Sequence, residues 1–287
     1  MHKRKLADSG VEVTAIGLGA MPLSLAGRPD EAAAIEVIRA YVEGGGNFID
    51  TANVYCMGTK DLGHNERLIR KALRLLGCVD DIYVATKGGL TKEGSGWDCD
   101  GRPEWLRTSC EQSLRDLDLE CLFLYQLHAP DPNVPLEESM GELARLRDEG
   151  KIRHIGLSNV NGTEIDTALK IAPIISVQNK CNVLLKKSFS NGVVDFCGKK
   201  NIAFIPHSPV GGHGQQGCMA GSAVIIGIAA KYKASPQQIA LAWLLAQGDH
   251  IIPIPGASRV ASIVSSVAAA EIALAPADVL TLDCLSD

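Results

Sequence analysis

Aromatic side chains are scarce in this sequence: three Trp, five Tyr and five Phe among 287 residues. No apolar run approaches the ~20 residues that a membrane-spanning helix needs, so no helical membrane anchor is expected. Positive charge is not in excess either. Lys and Arg number 28 against 33 Asp and Glu, for a net charge of −5. Such a field does not attract nucleic acid, and any anionic ligand must be held by a local set of donors. The nine cysteines, at 56, 78, 99, 110, 121, 181, 197, 218 and 284, form no CxxC pair and no metal-ligand spacing. They read as reduced thiols rather than a disulfide framework. The basic residues at the N-terminus have no apolar stretch behind them, as a secretory signal requires, so a cytoplasmic protein is expected.

What is present is alternation. A composition of 46% hydrophobic and 21% charged residues argues against disorder, and α/β barrels reach this length as one domain. Short runs rich in Val, Ile and Phe recur at 13–19, 47–52, 82–87, 121–128, 154–159, 175–180, 203–209 and 251–256. Segments of helical periodicity separate them, at 29–43, 66–76, 104–117, 136–148, 164–171, 188–199 and 236–247. Ser235-Pro236 marks a helix start, and Gly44, Gly77, Gly150 and Gly248 mark helix ends where a left-handed residue is expected. The competing open, doubly wound sheet needs a phosphate-binding glycine pattern after its first strand. Residues 16–22 (IGLGAMP) supply two glycines and run into Pro22 instead of a helix. A single-domain (β/α)8 barrel over residues 1–287 is therefore predicted.

The chemistry of such a barrel gathers at the C-terminal ends of its strands. There the sequence presents Asp50-Thr51 with Tyr55 beyond, Thr86-Lys87, Gln126 and His128, Ser158-Asn159, Gln178-Asn179, and His207-Ser208. Asp50, Tyr55, Lys87 and His128 form a coherent proton-delivery set. A phenol titrates near 10 when unperturbed, and a neighbouring lysine ammonium favours the phenolate and lowers that value. A paired aspartate keeps the lysine charged, and a neutral histidine can orient a carbonyl oxygen.

With these positions, the sequence resembles the aldo-keto reductase superfamily. The resemblance is carried in order by 44–55 (GGGNFIDTANVY), 63–68 (GHNERL), 85–89 (ATKGG), 124–128 (LYQLH) and 150–159 (GKIRHIGLSN). It continues through 177–179 (VQN), 205–210 (IPHSPV), 239–244 (IALAWL) and 253–258 (PIPGAS). It implies a barrel that binds extended NADP(H) and reduces a small-molecule aldehyde or ketone, reversibly, with Tyr55 as general acid. Lys87 and Asp50 would support Tyr55, and His128 would orient the carbonyl. Ser158, Asn159 and Gln178 match the positions that hold the nicotinamide carboxamide, and His207, Ser208 and Gly211 would lie along the cofactor. Ser258, Arg259 and Ser262 would meet its 2′-phosphate end, with Ser258 also suited to cap the helix that follows. Two other readings stay open: a regulatory subunit like the potassium-channel β-subunits, and a tailoring enzyme whose net reaction is not a simple reduction.

Three departures from the family pattern stand out. His207 replaces the aromatic that stacks on the nicotinamide and is read as a smaller stacking ring, with a second catalytic histidine as the alternative. Cys181, after Lys180, stands where a Tyr is common and is read as a space-filling change. Ser265-Ser266 replace a Glu-Asn pair, which predicts a weaker grip on adenine. His207, His213 and Cys218 are not assigned to a metal. The loops at 21–28, 88–102 and 211–221 are expected to set the substrate, with Met21, Cys56 and Trp97 as pocket walls. The short stretch behind the last helical segment leaves an open pocket as the expectation.

Overall fold

The computed structural model describes residues 2–94, 96–212 and 217–285. Seven parallel strands stand side by side in chain order: Leu18–Gly19, Phe48–Asp50, Tyr83–Gly88, Leu122–Leu127, Ile152–Ser158, Ile174–Gln178 and Ala203–Phe204. An eighth segment, 251–256, closes the ring. On one side Phe204 N–H donates to His250 O at 2.8 Å and Ile252 N–H to Phe204 O at 2.9 Å. On the other, Gly17 and Gly19 donate to Pro253 O and Pro255 O at 2.9 and 3.0 Å. Proline has no N–H to return to the ladder. The segment predicted as a full strand therefore joins its neighbours only through the isolated bridges Phe204↔Ile251 and Gly19↔Gly256. The approach at this seam is close: a Cβ on Gly19 would lie 2.7 Å from Ile254 O. The result is the predicted (β/α)8 barrel.

The run predicted at 13–19 divides in two. Glu12–Thr14 pairs antiparallel with Lys3–Lys5, and only Leu18–Gly19 enters the barrel. Leu6 and Val13 of this hairpin pack with Phe48, Ala85, Leu124, Ile175, Ala203, Ile205, Ile252 and Ile254. The hairpin thus plugs the lumen at the end away from the strand C-termini. A second hairpin, Leu90–Glu93 with Gly96–Cys99, occupies the segment expected as a loop.

The helices follow their local signals with small shifts. Asp30 caps Glu31–Glu43 by accepting from Ala33 N, which leaves Pro29 outside the helix. Ser235 caps Pro236–Ala246 in a reciprocal box with Gln238, and Asn161 does the same with Glu164 for Gly162–Leu169. The stretch predicted at 188–199 breaks into Lys187–Ser190 and Val193–Lys199 around Gly192, at φ 78. Gly77, Gly150 and Gly248 have positive φ as expected, but Gly44 does not. Its φ is −72, and Gly45, at φ 87, takes the left-handed turn. Ala223–Tyr232, Val260–Ala268 and Pro276–Asp283 are further helices. Among the described residues no helix is long and apolar enough to cross a membrane.

Candidate active site

Alternation along the strands decides which side chains enter the lumen. Ala85 packs inside the barrel, so Lys87, two residues on, projects the same way at the strand's C-terminal end. The ladder sets Asp50 opposite Ala85, Lys87 opposite Gln126 and Gln178 opposite Ser158. Asp50, Lys87, Gln126 and Gln178 therefore meet on one layer of the barrel.

Their hydrogen bonds form one set. Lys87 Nζ donates to Asp50 Oδ1 at 2.5 Å, to the Thr51 carbonyl at 2.8 Å and to Tyr55 Oη at 3.3 Å. Gln178 and Gln126 each donate an Nε2–H to the other aspartate oxygen, at 2.8 and 3.2 Å. All of these groups are buried. Burial alone would discharge the lysine, but the facing Asp50, together with Tyr55, raises its pKa above the ordinary value. Both ends of the pair are fully hydrogen-bonded, the condition under which a buried ion pair is tolerated.

Tyr55 stands over this layer, packed with Ala52, Val54, Leu90 and the half-buried Met21. Its ring meets His128 edge to face, with centroids 5.7 Å apart at 81°. Here one expectation needs correction. Lys87 does lower the phenol's pKa, but burial outweighs it, and the net direction is upward. His128 moves the other way: burial, then Lys87 and His207, hold its imidazole well below the usual range and therefore neutral. Its Nδ1 is buried with no partner among the described residues.

The candidate cofactor residues line the opposite part of the rim. Asn159, in the left-handed region at φ 58, donates from Nδ2 to His128 O at 2.9 Å and to Ser158 Oγ at 3.2 Å. Gln178 lies next to them but spends its Nε2 on Asp50 and Gln126. Asn179 is structural, bonding both backbone polar groups of Val160. His207 and Ser208 follow at the mouth, and Gly211 N–H closes a turn onto Ser208 O at 3.1 Å, with φ 105 at Gly211. His213 lies outside the described residues, as does the Cys218 side chain. Among those described, no group of three or more His, Cys, Asp or Glu could hold a metal ion.

Ser258, Arg259 and Ser262 come together where helix Val260–Ala268 begins. The capping position is Arg259, not Ser258, and no side chain caps it. No acidic residue occupies the first turn, which leaves a dipole end suited to an anion. Cys56 is buried with its thiol on Val54 O, and the exposed Trp97 donates Nε1–H to the same carbonyl at 3.1 Å. The three pocket-wall candidates thus converge on the segment that carries Tyr55. Cys181 is buried in the main apolar core, consistent with a space-filling role.

Sequence reasoning placed Gln126 at the rim without giving it a role, and did not foresee the Thr51 carbonyl as a ligand of Lys87. Gln126 was legible: it stands two residues before His128 on one strand and shares its inward face. Nothing in the sequence marks a backbone carbonyl.

Comparison with known proteins identifies the family. A model of the "Aldo/keto reductase family" matches residues 15–218 and 221–287. A Glycine max protein described as "Probable aldo-keto reductase 1" is 33% identical, over 96% of this chain and 86% of its own. An uncharacterized oxidoreductase of Schizosaccharomyces pombe is 36% identical over 91% of this chain and 83% of its own. Among solved structures, the thermostable aldo-keto reductase Tm1743, in complex with the inhibitor epalrestat, superposes with a TM-score of 0.85 at 29% identity. That match covers 99% of this chain and 100% of the other. The chain belongs to the aldo/keto reductase family and is an oxidoreductase by that membership.

Proposed function

We propose that this protein reduces an aldehyde or ketone to the alcohol with NADPH, reversibly, and that Tyr55 supplies the proton. The observation that carries the reading is the buried Lys87 ammonium, bonded at once to Asp50, the Thr51 carbonyl and the Tyr55 hydroxyl. An ammonium with all three N–H groups engaged is fixed in place, so the phenol it touches has a fixed orientation.

The rim residues fit a nicotinamide. A primary carboxamide offers two N–H groups and one carbonyl. After the internal bonds are made, the Ser158 hydroxyl remains as donor, with the Gln178 side-chain oxygen and the second lone pair of Asn159 Oδ1, whose first is taken by His207, as acceptors. Ser258, Arg259, Ser262 and the helix N-terminus they flank suit the 2′-phosphate. When bound, the reduced nicotinamide supplies the hydride that the carbonyl carbon takes up. Tyr55, a phenol whose pKa burial moves further above its ordinary value near 10, carries its proton at neutral pH and can give it up. As it gives its proton to the forming alcohol oxygen, Lys87 stabilises the phenolate left behind, and Asp50 keeps Lys87 in register. The neutral His128 ring hydrogen-bonds the carbonyl oxygen and turns it toward Tyr55. Substrate is bounded by Met21 and Trp97, around the segment that holds the catalytic phenol, with the fully buried Cys56 lying behind that segment instead of lining the pocket.

The test is turnover. Pure protein incubated with NADPH and a panel of aldehydes and ketones is expected to consume the cofactor, followed by nicotinamide absorbance. Tyr55→Phe should lower the rate by roughly 10²–10⁴; equal rates in the two proteins would contradict the assignment. Tighter binding of NADPH than of NADH supports the phosphate site, and equal affinities overturn it.

A further inference from the structure

His207 sits where the family commonly carries an aromatic ring, and its bonds say more than its size. Its backbone is held on both sides, with His207 N–H on Asn179 O at 3.1 Å and Cys181 N–H on His207 O at 3.2 Å. The base of the ring is therefore rigid. The imidazole lies between Ser208 Oγ, 3.2 Å from Nδ1, and Asn159 Oδ1, 3.4 Å from Nε2.

The chemistry of the partners orients every group in this chain. Asn159 must present its NH₂ to the His128 carbonyl, an acceptor, which turns its oxygen toward His207. An amide oxygen requires a donor, so Nε2 carries the imidazole proton. Nδ1 is then an acceptor, and the Ser208 hydroxyl donates to it. The assignment follows from the bonding partners rather than from visible hydrogens. A continuous chain results: Ser208 hydroxyl to His207, His207 to Asn159, Asn159 to the His128 carbonyl and to Ser158. It ties the seventh strand's end to those of the fourth and fifth. Nδ1 can accept only in the neutral imidazole. Burial, then Lys87 and Lys180, push the His207 pKa down to about 4, so the ring is neutral at physiological pH.

We infer that His207 is a positioning residue, whose imidazole tethers the Asn159 side chain and so fixes the amide face a nicotinamide carboxamide would meet, rather than a small stacking ring. The inference rests on the cofactor reading proposed above. It explains how Asn159, exposed at the mouth and in a left-handed backbone conformation, keeps one amide orientation. Phe lacks the donor, and Gln supplies a donor without a ring, so the two roles predict opposite outcomes.

Two measurements decide it. Nitrogen-15 NMR of the imidazoles in the ligand-free wild type should show His207 as the Nε2–H tautomer; the Nδ1–H tautomer overturns the tether. Fluorescence titration with NADPH should then show a Kd raised roughly fivefold in His207→Phe, the loss of one neutral hydrogen bond. His207→Gln should bind within about twofold of the wild type, and the KM for cofactor should change more than kcat. Unchanged melting temperatures show that both variants are folded. If Phe binds as tightly as the wild type or tighter, while Gln weakens, the ring acts by stacking and the inference fails. If the wild type does not bind NADPH, the cofactor reading fails instead, and the tautomer still decides the tether.

Discussion

Thr86 and Lys87 are neighbours on one strand, yet they face two different solutions to burying a carboxylate. Lys87 points into the barrel, where Asp50 has a donor on each oxygen: Lys87 on one, Gln126 and Gln178 on the other. Thr86 points outward into the helix layer and donates to Glu66 Oε1 at 2.6 Å. The second Glu66 oxygen has no donor in good hydrogen-bond geometry among the described residues, although the Ser113 hydroxyl is near enough to act on the carboxyl. Burial is the dominant influence on Glu66, and nearby Asp116 adds repulsion, so its pKa rises to about 7 despite the Thr86 bond. The comparison teaches that burial pushes a carboxyl with few donors toward its neutral form, whereas Asp50 is met by a built set of donors and a counter-ion. The ion-paired residue sits at the proposed chemistry; Glu66 is framework.

The largest way to break this contrast is to remove the inner charge. Asp50→Leu leaves Lys87 buried without its counter-ion, and the fold should lose about 3–5 kcal/mol in urea unfolding. Activity should fall with it. A stability change near zero would mean that the pair is not held as described.

Next in size is the outer acid, whose effect depends on pH. Its folded pKa, about 7, lies above the ordinary value of 4.5, so the folded state binds more protons than the unfolded chain in that window. The stability it contributes is complete below the ordinary carboxyl range and is lost as pH rises through about 7. Glu66→Gln should remove that slope and gain on the wild type by on the order of 2–3 kcal/mol between acid and mildly alkaline pH. Urea midpoints for both proteins across this range check it. Parallel pH profiles would show that Glu66 is ionised like any surface carboxylate.

The smallest effect sharpens the inner set. Gln126→Leu removes one of two donors on the same Asp50 oxygen while Gln178 remains. A loss of about 1 kcal/mol in stability is expected, with a fall in kcat and little change in KM. A larger stability loss, comparable to Asp50→Leu, would assign Gln126 a weight the geometry does not give it.

Much of this was legible in the sequence, for identifiable reasons. Period-two alternation carries Asp50, Lys87, His128, Ser158 and Gln178 to one rim, and helix starts at Asp30, Ser235 and Asn161 follow simple capping chemistry. The split of 13–19 was hidden because Val13-Thr14 of the hairpin and Leu18-Gly19 of the barrel fall within one short run of the sequence. The eighth strand is thinner than its composition suggests because Pro253 and Pro255 cannot donate. The direction of the Tyr55 shift was missed because a sequence shows the neighbouring cation but not the depth of burial that outweighs it. His207 was read by size, whereas its two ring nitrogens are what the fold uses.

The most direct test of the central claim is the pH dependence of kcat/KM for a carbonyl substrate under saturating NADPH. Tyr55 as the acid, with its pKa raised by burial, predicts a rate that stays level through neutral and mildly alkaline pH and falls only above about 10, where an unperturbed phenol already titrates. A fall centred near pH 6.5, the range of an ordinary histidine, would place the proton on His128 or His207 and contradict the account.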